Sequence, residues 1–300
     1  MSHETRFGIL VLQSDPWPDI VERVQRYERL GFDAVWIADH FALPWDPAQP
    51  WFEGWTVLAG LATVTSRIRL GPLVSHVVYR NPAVLARQAL TVDHLSGGRL
   101  NLGLGAGASP RDAPMTGVDW WSPAERVGRF RDAVEIVDRL LCDEETTYRG
   151  RYYRVTGATM NPGPVQRPRP PLTIAASGPV MVKLAARYAD VWNTEGSFEE
   201  LFRIDAAPAE VYRLTRERNE LLSEHAAALG RDPAAITRSF LAGYGAAPED
   251  PWASSEAFHD LVGRYREIGF SEFVFPEPSA GESDVFERIV ADVITSAAIA

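Results

Sequence analysis

An acid and an imidazole stand side by side at Asp39-His40, where the apolar run "AVWIA" (34–38) stops. The pair suits proton handling, because an imidazole can give or take a proton near neutral pH. A second histidine, His76, follows the apolar run 68–75. Two glycine-bearing loops, "GAG" (105–107) and "AASGP" (175–179), each follow an apolar run as well. Small residues let backbone N–H groups approach a phosphate, and the second loop leads into a helix whose first turn would face an anion. His40, His76 and Asp39 could converge, but no H-E-x-x-H or comparable pair supports a metal cage, so no metal is expected. His94 lies inside a helical stretch and is given a structural role.

The elements that must position these residues follow a simple rhythm. Short apolar runs at 6–13, 33–38, 68–75, 99–107, 172–177, 189–194, 236–244 and 272–276 read as strands. Between and after them, amphipathic stretches at 17–32, 54–66, 82–95, 122–141, 179–188, 208–229, 254–270 and 283–298 read as helices. Ser122 and Pro123 are a helix start, and Gly31 a helix stop. Strict alternation implies a parallel sheet with crossover helices. Eight repeats in 300 residues fit one α/β domain over 1–300, a (β/α)8 TIM barrel. An aromatic, then Pro-rich insertion around 143–171 is expected to be a hairpin excursion. "RYERLGFDAVWI" (26–37) and "RYREIGFSEFVF" (264–275) echo each other as the same helix–turn–strand unit. In strand 68–75, Gly71-Pro72 interrupts a ladder that has no edge, which implies a bulge.

An open dinucleotide-binding sheet would need a Gly-rich turn after the first strand, and "LQSDPWPD" has none. "GLGAGASP" (103–110) does not complete that spacing and leads to "RDAPMTG" rather than straight into a helix. The net charge of −10 argues against nucleic acid. No run reaches the ~18 apolar residues of a membrane span. The first residues lack a signal-peptide pattern, so a cytoplasmic protein is expected. Cys142, the single cysteine, is expected to be a buried, inert thiol.

Three stretches carry a family likeness: "GFDAVWIADHF", "TSRIRLGPLVSHVVYRNPAVLARQALTVDHLSGGRLNLGLGAG", and "YRGRYYRV" with the following "RPPLTIAASGP". Over about residues 7–195 the chain resembles the bacterial luciferase-like superfamily of flavin and deazaflavin oxidoreductases. Its Asp-His pair after the second strand resembles the branch that uses coenzyme F-420, a 5-deazaflavin. The resemblance implies hydride transfer between F-420 and a small organic substrate, with His40 beside the hydride-carrying carbon and Asp39 binding the ring. It implies that Leu73, Val74 and Ser75 back the ring at a bulge with a cis Leu73–Val74 peptide. It places Gly105, Ala106 and Gly107 along the cofactor's chain, and Ala175, Ala176, Ser177 and Gly178 at its ribityl or phosphate end. Gln13, Trp45, His76 and Glu195 are then expected in the substrate pocket.

The chain departs from the sugar-phosphate dehydrogenases of that branch. They carry glutamates at the ends of strands 1 and 4, where Gln13 and Ala108-Ser109 stand here. Trp17, Trp45, Trp51, Trp120 and Trp121 suggest an aromatic mouth for a flat or apolar substrate. Two other readings stay open: an FMN-dependent monooxygenase served by a separate flavin reductase, and a non-catalytic ligand-binding barrel. A homodimer is expected from family habit and from the apolar outer faces of helices 54–66 and 81–95.

Overall fold

The computed structural model describes residues 5–77, 80–107, 109–196, 207–244 and 248–294. Its elements are β1 (Arg6–Val11), α1 (Trp17–Leu30), β2 (Ala34–Ile37), α2 (Gly54–Val64), β3 (Arg69–Pro72), β4 (Ser75–His76), α3 (Pro82–Ser96), β5 (Leu102–Gly105), α4 (Asp112–Met115), α5 (Pro123–Cys142), β6 (Thr146–Arg149), β7 (Arg154–Ala158), β8 (Leu172–Ala175), α6 (Pro179–Tyr188), β9 (Val191–Thr194), α7 (Pro208–Ala228), β10 (Thr237–Leu241), α8 (Ser255–Glu267), β11 (Glu272–Pro276) and α9 (Ser283–Ile289). One sheet runs β3-β2-β1-β11-β10-β9-β8-β5-β4. Its registered pairs, such as β1 with β11 and β4 with β5, are parallel. Leu70 also bridges Leu100 in parallel, which brings β3 alongside the chain entering β5. β3 and β4 are halves of the single strand expected at 68–75, so nine segments fill eight positions of a (β/α)8 fold. The strands are buried on both faces, as parallel strands covered by helices must be.

Some boundaries differ from expectation. The one-turn helix α4 was not foreseen. The closing helix 283–298 is α-helical to Ile289 and π-helical over Val290–Ile294; its last residues, 295–298, lie outside the described residues. The insertion is a hairpin, as expected: β6 and β7 pair antiparallel. Among the described residues no helix is long and apolar enough to cross a membrane.

Two compact units divide the chain, one of residues 1–11, 26–35 and 174–300, the other of 12–25 and 36–173. The first has an aromatic core. Phe7 stacks on Phe273 and Phe275, and Trp252 lies 5.2 Å from Phe275. The echoed sequences make the same object twice. Tyr27 and Phe32 meet edge to face at 5.6 Å, as do Tyr265 and Phe270. In each, a glycine at φ 92° or 91° (Gly31, Gly269) turns the chain so that the phenylalanine folds back on the helix end.

The second unit has an aliphatic core held by polar clamps. Glu53 caps α2 through the amides of Trp55 and Thr56, and Asn81 caps α3, with Pro82 in its first turn. Arg99 donates to the carbonyls of Ala62, Thr65, Ile68 and Ser96, binding the ends of α2 and α3 together. Buried Asp93 accepts the amides of Val165 and Gln166. Asp132 accepts the amide of Tyr152 and so fixes the hairpin turn. Cys142 is exposed, contrary to expectation. The apolar face of α5 ends with Leu140 and Leu141, and Cys142 falls beyond it at the helix terminus.

Candidate active site

The chain leaving β2 sends its acid and its imidazole to different partners. Asp39 is 1% exposed. Its carboxylate accepts the Ser75 hydroxyl at 2.6 Å and both prongs of the Arg80 guanidinium, Nε at 2.9 Å and Nη2 at 2.6 Å. This is a bidentate, charge-assisted contact. Ser75 Oγ in turn accepts Trp55 Nε1 at 2.7 Å, and Arg80 also pairs with Glu53. Burial pushes the Glu53 carboxyl up, but hydrogen bonds from Thr56 and Arg80 outweigh it and hold it below the usual range. The resemblance puts Asp39 on the cofactor ring; in the structure its carboxylate is taken up by Arg80 and Ser75.

His40 is 28% exposed through its side chain, and its Nδ1 lies 2.8 Å from Asp112 Oδ2. The Phe41 amide donates to Asp112 Oδ1 at 3.0 Å. Asp112 is the first residue of α4 and 1% exposed. His76, 3% exposed, places Nε2 3.5 Å from the same Oδ2, and the two imidazole rings are 5.5 Å apart. Burial pushes the Asp112 carboxyl up. The hydrogen bond and charge of His40, the approach of His76 and the Phe41 amide outweigh it and hold the group well below the usual carboxylate range. Three ligand-type atoms thus come within 4.8 Å of one another, with Asp112 rather than Asp39 as the acid. The shortest of those separations is a hydrogen bond.

The strand break carries a cis Leu73–Val74 peptide, as the resemblance implies. Leu73 N–H donates to Ile37 O at 2.9 Å. Opposite the break, a Cβ at Gly105 would sit 2.5 Å from Val74 Cγ2, and one at Gly103 would overlap the Pro72 carbonyl oxygen. The "LGLG" glycines therefore make room for the bulge, a role that their spacing alone did not suggest for Gly105. Ala106 and Gly107 continue from it half-buried, Gly107 with φ 87°.

Gln13 is fully buried and its amide donates to Ala38 O. Trp45 is 61% exposed. Of the other tryptophans, Trp51 donates to His40 O at 2.9 Å, whereas Trp120 and Trp121 stack under Arg126 and Arg129. The Trp17 ring lies against Gly60, where no Cβ would fit.

The remaining expected residues belong to the first unit. Ala175 ends β8; Ala176 O accepts Trp192 Nε1 and Ser177 O accepts Arg218 Nε. Gly178 precedes α6 without a side-chain cap, and Pro179 opens the helix. Half-buried Glu195 faces Tyr244, whose phenol is pushed up by burial and by Glu195 and Glu277. Ala108 lies outside the described residues.

Sequence reasoning missed Asp112, Arg80, Trp55 and Glu53. Asp112 had one signal, a Ser-Pro-Arg-Asp run that can open a helical turn with an acid in front.

A family model described as luciferase-like monooxygenase matches residues 2–272. The chain belongs to that family. Among its relatives, an F420-dependent glucose-6-phosphate dehydrogenase of Amycolatopsis mediterranei is 35% identical over 196 residues, 64% of this chain and 57% of the relative. The chain thus spans little more than half of that relative's length. An enzyme of the same name from Beutenbergia cavernae is 30% identical over 312 residues, 89% of each chain. Two solved structures share the fold. An F420-dependent secondary alcohol dehydrogenase in complex with an F420–acetone adduct superposes with TM-score 0.78 at 22% identity, covering 95% of this chain and 98% of that one. A coenzyme F420-dependent tetrahydromethanopterin reductase from Methanopyrus kandleri gives 0.77 at 18%, covering 98% and 99%.

Proposed function

We propose that the chain is an oxidoreductase that transfers hydride between coenzyme F-420 and a small organic substrate. The observation that carries this reading is the partly exposed His40 imidazole at the end of β2, anchored from behind by a buried carboxylate. The names of its relatives support the choice of cofactor. The residues present fit such a group: the first amides of α6 have no side-chain cap and can face an anion. When bound, a deazaflavin supplies a carbon that gives or takes hydride. His40 holds or moves the proton that accompanies it. Leu73, Val74 and Ser75 back the ring, and Asp39 holds Ser75 and Arg80 in place for that purpose. Gly105, Ala106 and Gly107 run along the cofactor's chain, and Ala175, Ala176, Ser177 and Gly178 receive its phosphate end.

The substrate in this reading is flat or apolar rather than a sugar phosphate. Gln13 is turned into the protein, so the end of β1 presents no carboxylate, and Trp45 offers an exposed ring. A homodimer through α2 and α3, whose Val64, Val84 and Leu95 are exposed, and a cytoplasmic location belong to the same proposal. Light scattering tests the dimer; a monomer at micromolar concentration ends that part.

Titration of the purified protein with F-420 and with FMN, following each chromophore, tests the cofactor. Binding of F-420 is the expected result. Tight FMN binding without F-420 would turn the reading into a monooxygenase served by a reductase, and binding of neither would make the chain a ligand-binding barrel.

A further inference from the structure

We propose that Asp112 is a positioning residue: it fixes His40 in the tautomer with hydrogen on Nδ1, which leaves Nε2 as the nitrogen that exchanges the reaction's proton. The kinetic part rests on the function proposed above; the tautomer rests on the contact geometry and on an ionised Asp112.

An ionised carboxylate only accepts hydrogen bonds, so the 2.8 Å contact between Asp112 Oδ2 and His40 Nδ1 requires the hydrogen to be on the nitrogen. The acid cannot swing away at little cost. Its other oxygen, Oδ1, is held by the amide of Phe41, the residue that follows His40. One carboxylate therefore grips the ring of one residue and the backbone of the next, which fixes both the torsion of the imidazole and the path of the chain leaving β2. Its own backbone is tied down in turn, because Thr116 donates its amide and its hydroxyl to Asp112 O at 3.2 and 3.1 Å. The groups that face Asp112 are His40, His76 and the Phe41 amide. His76 Nε2 lies 3.5 Å from Oδ2, and its ring is buried. No guanidinium neutralises this acid among the described residues as Arg80 neutralises Asp39, so its charge is directed at the rings.

The test combines a cofactor-free spectrum with kinetics. Histidine-selective nitrogen-15 spectra of the protein without cofactor read the tautomer of the neutral ring, with the His40 signals assigned by their loss in His40→Gln. The wild type is expected to show hydrogen on Nδ1. Asp112→Asn, whose amide can donate as well as accept, is expected to lose that preference. Its kcat should fall ~10²–10⁴-fold, the range for a mispositioned acid–base imidazole, with KM and cofactor affinity little changed. Asp112→Glu should restore part of kcat.

Hydrogen on Nε2 in the wild type would overturn the proposal, as would a folded Asp112→Asn that keeps both the tautomer and kcat. A loss confined to cofactor affinity would overturn it too. Should Asp112→Asn fail to fold, the wild-type spectrum still decides. A wild type that turns over no substrate with F-420 counts against the proposed function and leaves the tautomer of His40, read from the spectrum, as the measure of Asp112.

Discussion

Asp39 and Asp112 are equally buried and both bear on His40: the first precedes it in the chain, and the second holds its ring. Their partners separate them. Asp39 faces a guanidinium that stays charged at any pH of interest, so the two are locked as an ion pair. Asp112 faces two imidazoles, groups that can give or take a proton. Burial alone does not tell these two acids apart; whether the opposing group can give up a proton does.

The largest expected effect lies on the locked side. Arg80→Met leaves Asp39 buried without its counter-charge and should cost about 3–5 kcal/mol of unfolding free energy in a denaturant titration. If Asp39 instead turns out to bind cofactor with a mobile carboxylate, that variant will keep its stability and lose cofactor affinity, and the contrast between the two acids breaks. On the working side, His40→Ala should lower turnover ~10²–10⁴-fold while cofactor affinity changes little. Equal losses in both would make His40 a binding residue. Ser75→Ala removes the acceptor of Trp55 Nε1 and a donor to Asp39, for about 1–3 kcal/mol by the same titration. A full complement of stability in that variant would mean that water replaces the hydroxyl.

The smallest effect is a slope. The Asp112 carboxyl is held below its ordinary value in the folded protein, so its contribution is complete above the usual carboxylate range. That contribution is lost as pH falls through this range toward the lower folded value. Asp112→Asn lacks it. Its unfolding free energy should therefore fall less steeply than the wild type's between about pH 5 and pH 3. Parallel curves would show that the carboxyl is not so held.

The alternation of apolar runs was enough to read eight strand positions, their helices and the hairpin insertion, because period and length are local properties. Pro72 revealed the strand break for the same reason: a residue without an N–H cannot continue a ladder. What stayed hidden was long-range or too short to have a period. α4 has four residues, and Asp112 meets His40 across 72 positions of sequence. Arg80 reaches Asp39 across 41. The block most telling of family, "RNPAVLARQALTVDHLSGGRLNLGLGAG", proves to be largely carpentry. Asn81 caps, Asp93 and Arg99 clamp, and Gly103 and Gly105 yield space. Close approach of backbone to a neighbouring strand demands the same small residue as close approach to an anion, so the packing of Gly105 against Val74 adds a structural role to the one proposed for it.

The twinned Tyr-Gly-Phe turns carry a consequence for how the chain assembles. Tyr27 meets Phe32, and Tyr265 meets Phe270, within a few residues of chain, so either contact forms at small loop-closure entropy. The pairing of β1 with β11 joins Arg6 to Glu272 and must close nearly the whole polypeptide before it gains anything. The two turns are thus expected to be early, self-sufficient knots, and the seam between first and last strands the late one that opens first. In mild denaturant the amides of Phe32 and Phe270, which bond to Tyr27 O and Tyr265 O, should stay protected from hydrogen exchange after those along the β1–β11 seam have been lost.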